Sequence, residues 1–218
     1  EAYIEGCRIN GVLYGLPQQR EYASGVLGII IPNQYLDTIG YDYAAAEAKQ
    51  DPGLLMSEDI LYTDMATIND IFAKLHEAYP DKYVFGPQQV LNHAIEVDNV
   101  GGDYFGVLFD DAADLTLENF YDSQEFYDYC KMVYDWNQAG YISRDALTDT
   151  TAVATQVMAG QTMAFISSTK PGFKTAEVLQ LGMECTVFQA GGFYAASSSP
   201  ASMPWCINSS TENPAAAM

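Results

Sequence analysis

Strand-like apolar runs alternate with helix-patterned segments along this chain, and that alternation confines it to layered α/β folds. Val12 to Leu16 and Val26 to Ile31 read as strands, and Lys82 to Phe85 as a buried one. Further strands are expected at Thr162 to Ile166, Glu184 to Phe188 and Met203 to Ile207, with a strand pair across Gly101 to Asp111 turning at GGD. The clearest helix has Thr67 and Asp70 as a capping box, with Ile68, Ile71, Phe72, Leu75 and Tyr79 at helical spacing before Pro80. Ser123 caps another, whose apolar face is read as Phe126, Cys130, Val133 and Tyr134 and which Gly140 terminates. Asn33 to Ile39 is a short helix with Asn33 in the cap position and Gly40 just past its end. Weaker helices follow at Thr151 to Ala159 and Lys174 to Leu179, while Tyr41 to Asp64 reads as an acidic, irregular insertion with a helical turn near Ala44 to Lys49.

A chain of 218 residues, 49% of them hydrophobic, can bury a sizeable core. Its 29 acidic against 9 basic residues give a formal charge of -20, which opposes nucleic acid and anionic membrane surfaces. No apolar run reaches the ~18 residues that a bilayer span needs, so direct membrane insertion is not expected. Both ends, EAYIEG and NPAAAM, read as the interior of a longer protein. The cysteines Cys7, Cys130, Cys185 and Cys206 form no C-x-x-C and have no histidine nearby, so no metal site is expected. Reduced, buried thiols are the favoured state for all four, with a Cys185–Cys206 pairing left open.

Three stretches carry a family resemblance. The run NGVLYGLP followed by REYASG (Asn10 to Gly25), the helix–glycine–strand string VMAGQTMAFI (Val157 to Ile166), and the closing WCINSSTENPAAAM (Trp205 to Met218) together resemble family 1 extracellular solute-binding proteins of bacterial ABC transporters, carbohydrate type. The family's closing motif carries Glu where this chain has Ala215. The resemblance implies a type II periplasmic-binding-protein-like lobe with a central, mostly parallel sheet flanked by helices. Residues 1–24 would be a remnant of the first crossing between lobes, 25–200 the second lobe with its insertion at 41–64, and 201–218 the return crossing. It further implies capture of a small solute, with an oligosaccharide favoured and a peptide the alternative, and hand-over to ABC permease subunits through the full-length parent. The parent would be extracellular at the cell surface, lipid-anchored through a region preceding this chain, with no cofactor and no catalysis.

Ligands of open α/β sheets lie outside the carboxyl ends of the strands. That rule selects the polar island Arg20, Glu21 and Tyr22, the loop with Gln88 and Gln89, the loop with Lys170 and Phe173, and Trp205 near the final crossing. Guanidinium and amide groups hydrogen-bond hydroxyls in fixed geometry, and aromatic faces cover sugar C–H surface. Each has a plainer reading, Trp205 as a core aromatic and Arg20 as a partner of Glu21. Trp136 is read as packing, and His76 and His93 stand in no catalytic register. Neither G-x-S-x-G, a P-loop, H-E-x-x-H nor a Rossmann fingerprint occurs. The rivals are a glycoside hydrolase, which needs two carboxylates about 5–9.5 Å apart, and an acidic interaction module without a small-molecule site.

Overall fold

The computed structural model describes residues 4–5, 7–15, 22–23, 27–50, 60–86, 97–101, 104–109, 115–168, 172–190, 197–198 and 210–212. Its contacts gather into two units, one formed by residues 1–24 with 195–218 and the other by residues 25–194. In the first unit, β1 (Arg8–Ile9) and β2 (Val12–Leu13) pair antiparallel, Ile9 opposite Val12. Asn10 and Gly11 between them have φ of 51° and 79°, the two positive values that a tight type I′ hairpin demands. β3 (Tyr22–Ala23) pairs antiparallel with the short strand Ser197–Ser198.

The second unit runs β4 (Leu27–Pro32), α1 (Asn33–Thr38), α2 (Tyr43–Glu47), β5 (Ile60–Thr63), α3 (Met65–Ala78), β6 (Tyr83–Gly86), β7 (Asp98–Gly101), β8 (Gly106–Leu108), a 3-10 turn at Phe120–Asp122, α4 (Gln124–Gln138), α5 (Val153–Met158), β9 (Thr162–Ser168), α6 (Phe173–Leu181) and β10 (Cys185–Ala190). Five strands make the main sheet in the order β5-β10-β4-β9-β6. β10 is parallel to β5 and β9 to β6, while β4 is antiparallel to both β10 and β9. Four strands therefore share one direction and the central β4 opposes them, so the α/β layering expected from the sequence is present as a mixed sheet. β7 and β8 pair antiparallel with each other, apart from the main sheet, and Gly102 and Asp103 of the expected GGD turn lie outside the described residues.

Alternation along each strand sends side chains to opposite faces. Ile29, Ile31 and Phe188 point into a core with Leu36 of α1, Ile68, Phe72 and Leu75 of α3, and Trp136 of α4. Ile30, Phe165 and Val187 point the other way, against Val153 and Val157 of α5 and Leu181 of α6. The sheet is thus the middle of three layers. Phe72 anchors the first core, its ring 5.0 Å from Trp136 and 5.8 Å from Phe85. Trp136 Nε1 donates to Asn69 Oδ1 at 2.8 Å, so the indole is buried with its polar group satisfied.

Several local expectations are corrected. The cap of α3 is Asp64, whose Oδ1 accepts the Thr67 N–H at 2.7 Å, because the helix starts one turn before the Thr67–Asp70 box. Pro32 occupies the cap position of α1, and Asn33 instead accepts from Thr186 Oγ1 at 2.8 Å, tying α1 to β10. The segment 41–64 is not wholly an irregular insertion: its end is β5, an edge strand of the main sheet. Gln50 closes that edge, its amide donating to the Tyr62 carbonyl and accepting the Tyr62 N–H, which uses up strand groups otherwise open to pairing. The buried face of α4 holds Tyr129 and Trp136 rather than Cys130 and Tyr134, which are exposed. A Trp that can fill the gap beside Phe72 outcompetes a thiol for the core side. Cys130 is thereby not a buried thiol; Cys7 is half-buried, Cys185 is buried, and Cys206 lies outside the described residues.

Candidate ligand-binding site

Strand direction fixes where a ligand can meet the sheet. Thr63, Gly86, Ser168 and Ala190 end the four co-directional strands at one edge, and Leu27, the first residue of the opposed β4, stands at that same edge. Two helices start from it. Asp64 opens α3 directly after β5, held by the Thr67 N–H, and this hydrogen bond keeps its carboxyl below the usual carboxylate range. Gly172, in the left-handed region at φ 75°, occupies the cap position before α6 opens at Phe173.

A pocket of about 240 Å³ lies beside Gly86, walled by Phe85, Ser143, Asp149, Gln156 and Thr162. Its polar side is one network. Asp149 Oδ1 accepts the Thr151 N–H at 2.8 Å, and Asp149 Oδ2 accepts from Gln156 Nε2 at 3.0 Å. Gln156 Nε2 also donates to the Thr151 carbonyl at 3.3 Å, while Gln156 Oε1 accepts from Thr162 Oγ1 at 3.2 Å. Hydrogen bonds from Thr151 lower the Asp149 pKa, so it is a carboxylate at neutral pH. Phe85 and Val153 are buried and form the apolar floor. Gly86 admits this arrangement: a Cβ there would lie 2.8 Å from Val153 Cγ2.

A second concavity, about 420 Å³, opens over α3 and α4 beside Asn69, Lys131, Asp135 and Trp136. Its polar groups serve one another, Lys131 with Asp135 at 2.6 Å and Asn69 with Trp136, which leaves less for a ligand. Two buried groups carry perturbed pKa values behind the sheet. Burial raises that of Glu177 on α6. Burial and then the neighbouring Glu177 charge push the Cys185 thiol up to about 12. Among the described residues no cluster of three or more His, Cys, Asp or Glu is placed to hold a metal, and no helix is long and apolar enough to cross a membrane.

Of the site residues expected from sequence, two have a described backbone. Tyr22 lies in β3 of the first unit, paired with Ser198; Phe173 is the first residue of α6, not a loop residue. Arg20, Glu21, Gln88, Gln89, Lys170 and Trp205 lie outside the described residues. Sequence reasoning does not single out the pocket-lining Ser143 or the Asp149–Gln156–Thr162 network. Its only sequence signal is Asp149 two residues before Thr151 ahead of a weak helix, a local side-chain turn pattern.

No family model matches the sequence, and no curated protein does. Solved structures do. The N-glycan transport solute binding protein NgtS from Streptococcus pneumoniae, in complex with Man1GlcNAc, superposes with a TM-score of 0.66 at 17% identity, over 97% of this chain and 44% of that one. The fold is that of a solute-binding protein. The same protein in complex with Man5GlcNAc gives a TM-score of 0.63 at 18% identity over 97% of this chain and 43% of that one, so the solute-binding-protein fold is matched with either sugar present. This chain spans less than half the length of those proteins.

Proposed function

We propose that this chain is the second lobe of a bilobed extracellular solute-binding protein that captures an oligosaccharide for import by an ABC permease. One observation carries the reading: a sheet whose co-directional strands end at a single edge, in a fold shared with an N-glycan-binding transport protein of which the chain covers 44%. In this reading residues 25–200 form the lobe, with 1–24 and 201–218 as its crossings to another lobe of a longer parent. The contacts come from Arg20, Glu21, Tyr22, Gln88, Gln89, Lys170, Phe173 and Trp205, amides and guanidinium orienting hydroxyls and aromatic rings covering sugar faces.

The mechanism is hinge closure. Two lobes clamp the ligand, and the closed form is stabilised by as much as the sugar prefers it over the open form. The parent is non-catalytic, lipid-anchored at the cell surface, and presents its closed form to permease subunits. Calorimetric titration of the full-length parent with mannose- and N-acetylglucosamine-containing oligosaccharides tests this. Saturable binding with the sugar recovered intact is expected; no binding across a broad glycan panel, or hydrolysis of chromogenic glycosides lost on mutating one carboxylate pair, would overturn it.

A further inference from the structure

We infer that the pocket beside Gly86 is a subsite for one neutral sugar unit and discriminates against uronates and other anionic sugars. The inference rests on the sugar-capture reading and adds the ligand chemistry of this one pocket. At about 240 Å³ it falls below the roughly 300–1,000 Å³ of sites for drug-sized ligands. This suits a single ring rather than a whole oligosaccharide.

The polar inventory selects the ring's chemistry. Both N–H groups of the Gln156 amide are used, on Asp149 Oδ2 and on the Thr151 carbonyl. Gln156 Oε1 accepts only from Thr162 and keeps a lone pair. The Asp149 oxygens accept Thr151 N–H and Gln156 Nε2 and also retain acceptor capacity. The pocket therefore offers mainly acceptors, among them an ionised carboxylate, with the hydroxyls of Ser143 and Thr150 as further donors at its wall. Sugar hydroxyls donate to such a surface. A sugar carboxylate meets the opposite of what it needs, because no lysine or arginine lines the pocket among the described residues. Asp149 is exposed, so solvent screening limits the penalty; two like charges about 4 Å apart in water differ from a neutral pair by roughly fivefold in affinity.

The test is titration of the isotope-labelled 218-residue chain with methyl glucopyranoside and, separately, the matching methyl glucuronide, following amide shifts by NMR. Expected are shifts of the Thr151 backbone amide and the Gln156 side-chain amide, with the neutral glycoside binding up to about fivefold tighter. Asp149→Asn should narrow that ratio toward one. Thr150→Arg, at an exposed position, should reverse it without touching the core, which guards against a misfolded Asp149 variant. Equal binding of the two glycosides, or an unchanged ratio in both variants, overturns the subsite. Shifts confined to Ser167 and the start of α6 would overturn the subsite while leaving sugar capture standing; no shift with either glycoside would likewise overturn the subsite, while sugar capture by the full-length parent is decided by its own calorimetric titration.

Discussion

Gly86→Ala probes the wall between the strand ends and the pocket. The new methyl would sit 2.8 Å from Val153 Cγ2, 3.1 Å from Thr162 Cγ2 and 3.3 Å from Val153 Cγ1, against a comfortable carbon separation of about 3.5–4.0 Å. Val153 and Thr162 are 3% and 1% exposed and are stiff at χ1, so neither can swing away into solvent. Overpacking of this kind costs about 1–3 kcal/mol. For a chain of this size each kcal/mol lowers the melting midpoint by about 2–4 °C, giving a fall of roughly 2–12 °C. Val153→Ala alone removes two methyls, worth about 0.8 kcal/mol each before any cavity cost. In Gly86→Ala/Val153→Ala the added methyl enters the room the valine vacates, though the Thr162 contact persists. Urea or thermal unfolding of the four proteins should therefore give a double variant less destabilised than the sum by at least about 0.5 kcal/mol. A Gly86→Ala midpoint equal to wild type, or strict additivity, would refute the packing derived for this wall.

Four further outcomes follow from buried groups. At pH 8 an alkylating reagent should label exposed Cys130 in the folded protein and spare Cys185, whose thiol is pushed up to about 12; mass spectrometry of digested protein reads this, and equal labelling would contradict it. Because the Cys185 pKa is raised above its unfolded value, the unfolded chain loses that proton first, and stability should decline as pH rises from about 8.5 toward 12. Glu177→Gln should raise the midpoint at pH 7, because it removes a buried carboxyl whose folded pKa is raised and whose Oε2 has no partner. That advantage should vanish as pH falls below the unfolded pKa of about 4.3, where both forms of the wild type are protonated. Asn69→Ala leaves the Trp136 indole N–H without its 2.8 Å acceptor and should cost about 1 kcal/mol in urea unfolding, a loss that Trp136→Phe in the same chain should largely abolish.

The layered fold was legible because its strongest signals are periodic and local. Ile68, Ile71, Phe72 and Leu75 recur at helical spacing and all are buried in α3; Ile29 to Ile31 form an apolar run and alternate between the two faces of β4. Legibility failed where tertiary partners decide. β5 is four residues, Ile60 to Thr63, and becomes a strand by pairing with β10 and by the Gln50 amide closing its edge, neither of which is visible in its own sequence. The face of α4 is not legible from spacing alone, because Cys130 and Tyr134 also fall at helical spacing and only the gap beside Phe72 favours Trp136. The Asp149–Gln156–Thr162 network joins a loop residue, a residue of α5 and the first residue of β9, so folding alone brings those groups together. The strand-end rule does not lead to this pocket, since Ser143 and Asp149 lie on the connection between α4 and α5 and Gln156 lies within α5 rather than at a strand end.

The central claim, that a sugar is taken at the carboxyl edge of this sheet, is tested most directly by residue-resolved NMR of the chain titrated with a mannose–N-acetylglucosamine disaccharide. The account predicts saturable shifts concentrated at Gly86, Ser167, Ser168 and the first turn of α6, with the opposite ends of the strands, Tyr83 and Cys185, unmoved. Shifts centred on those opposite ends or on the groove over α3 and α4, or no shifts at any concentration reached, would contradict it.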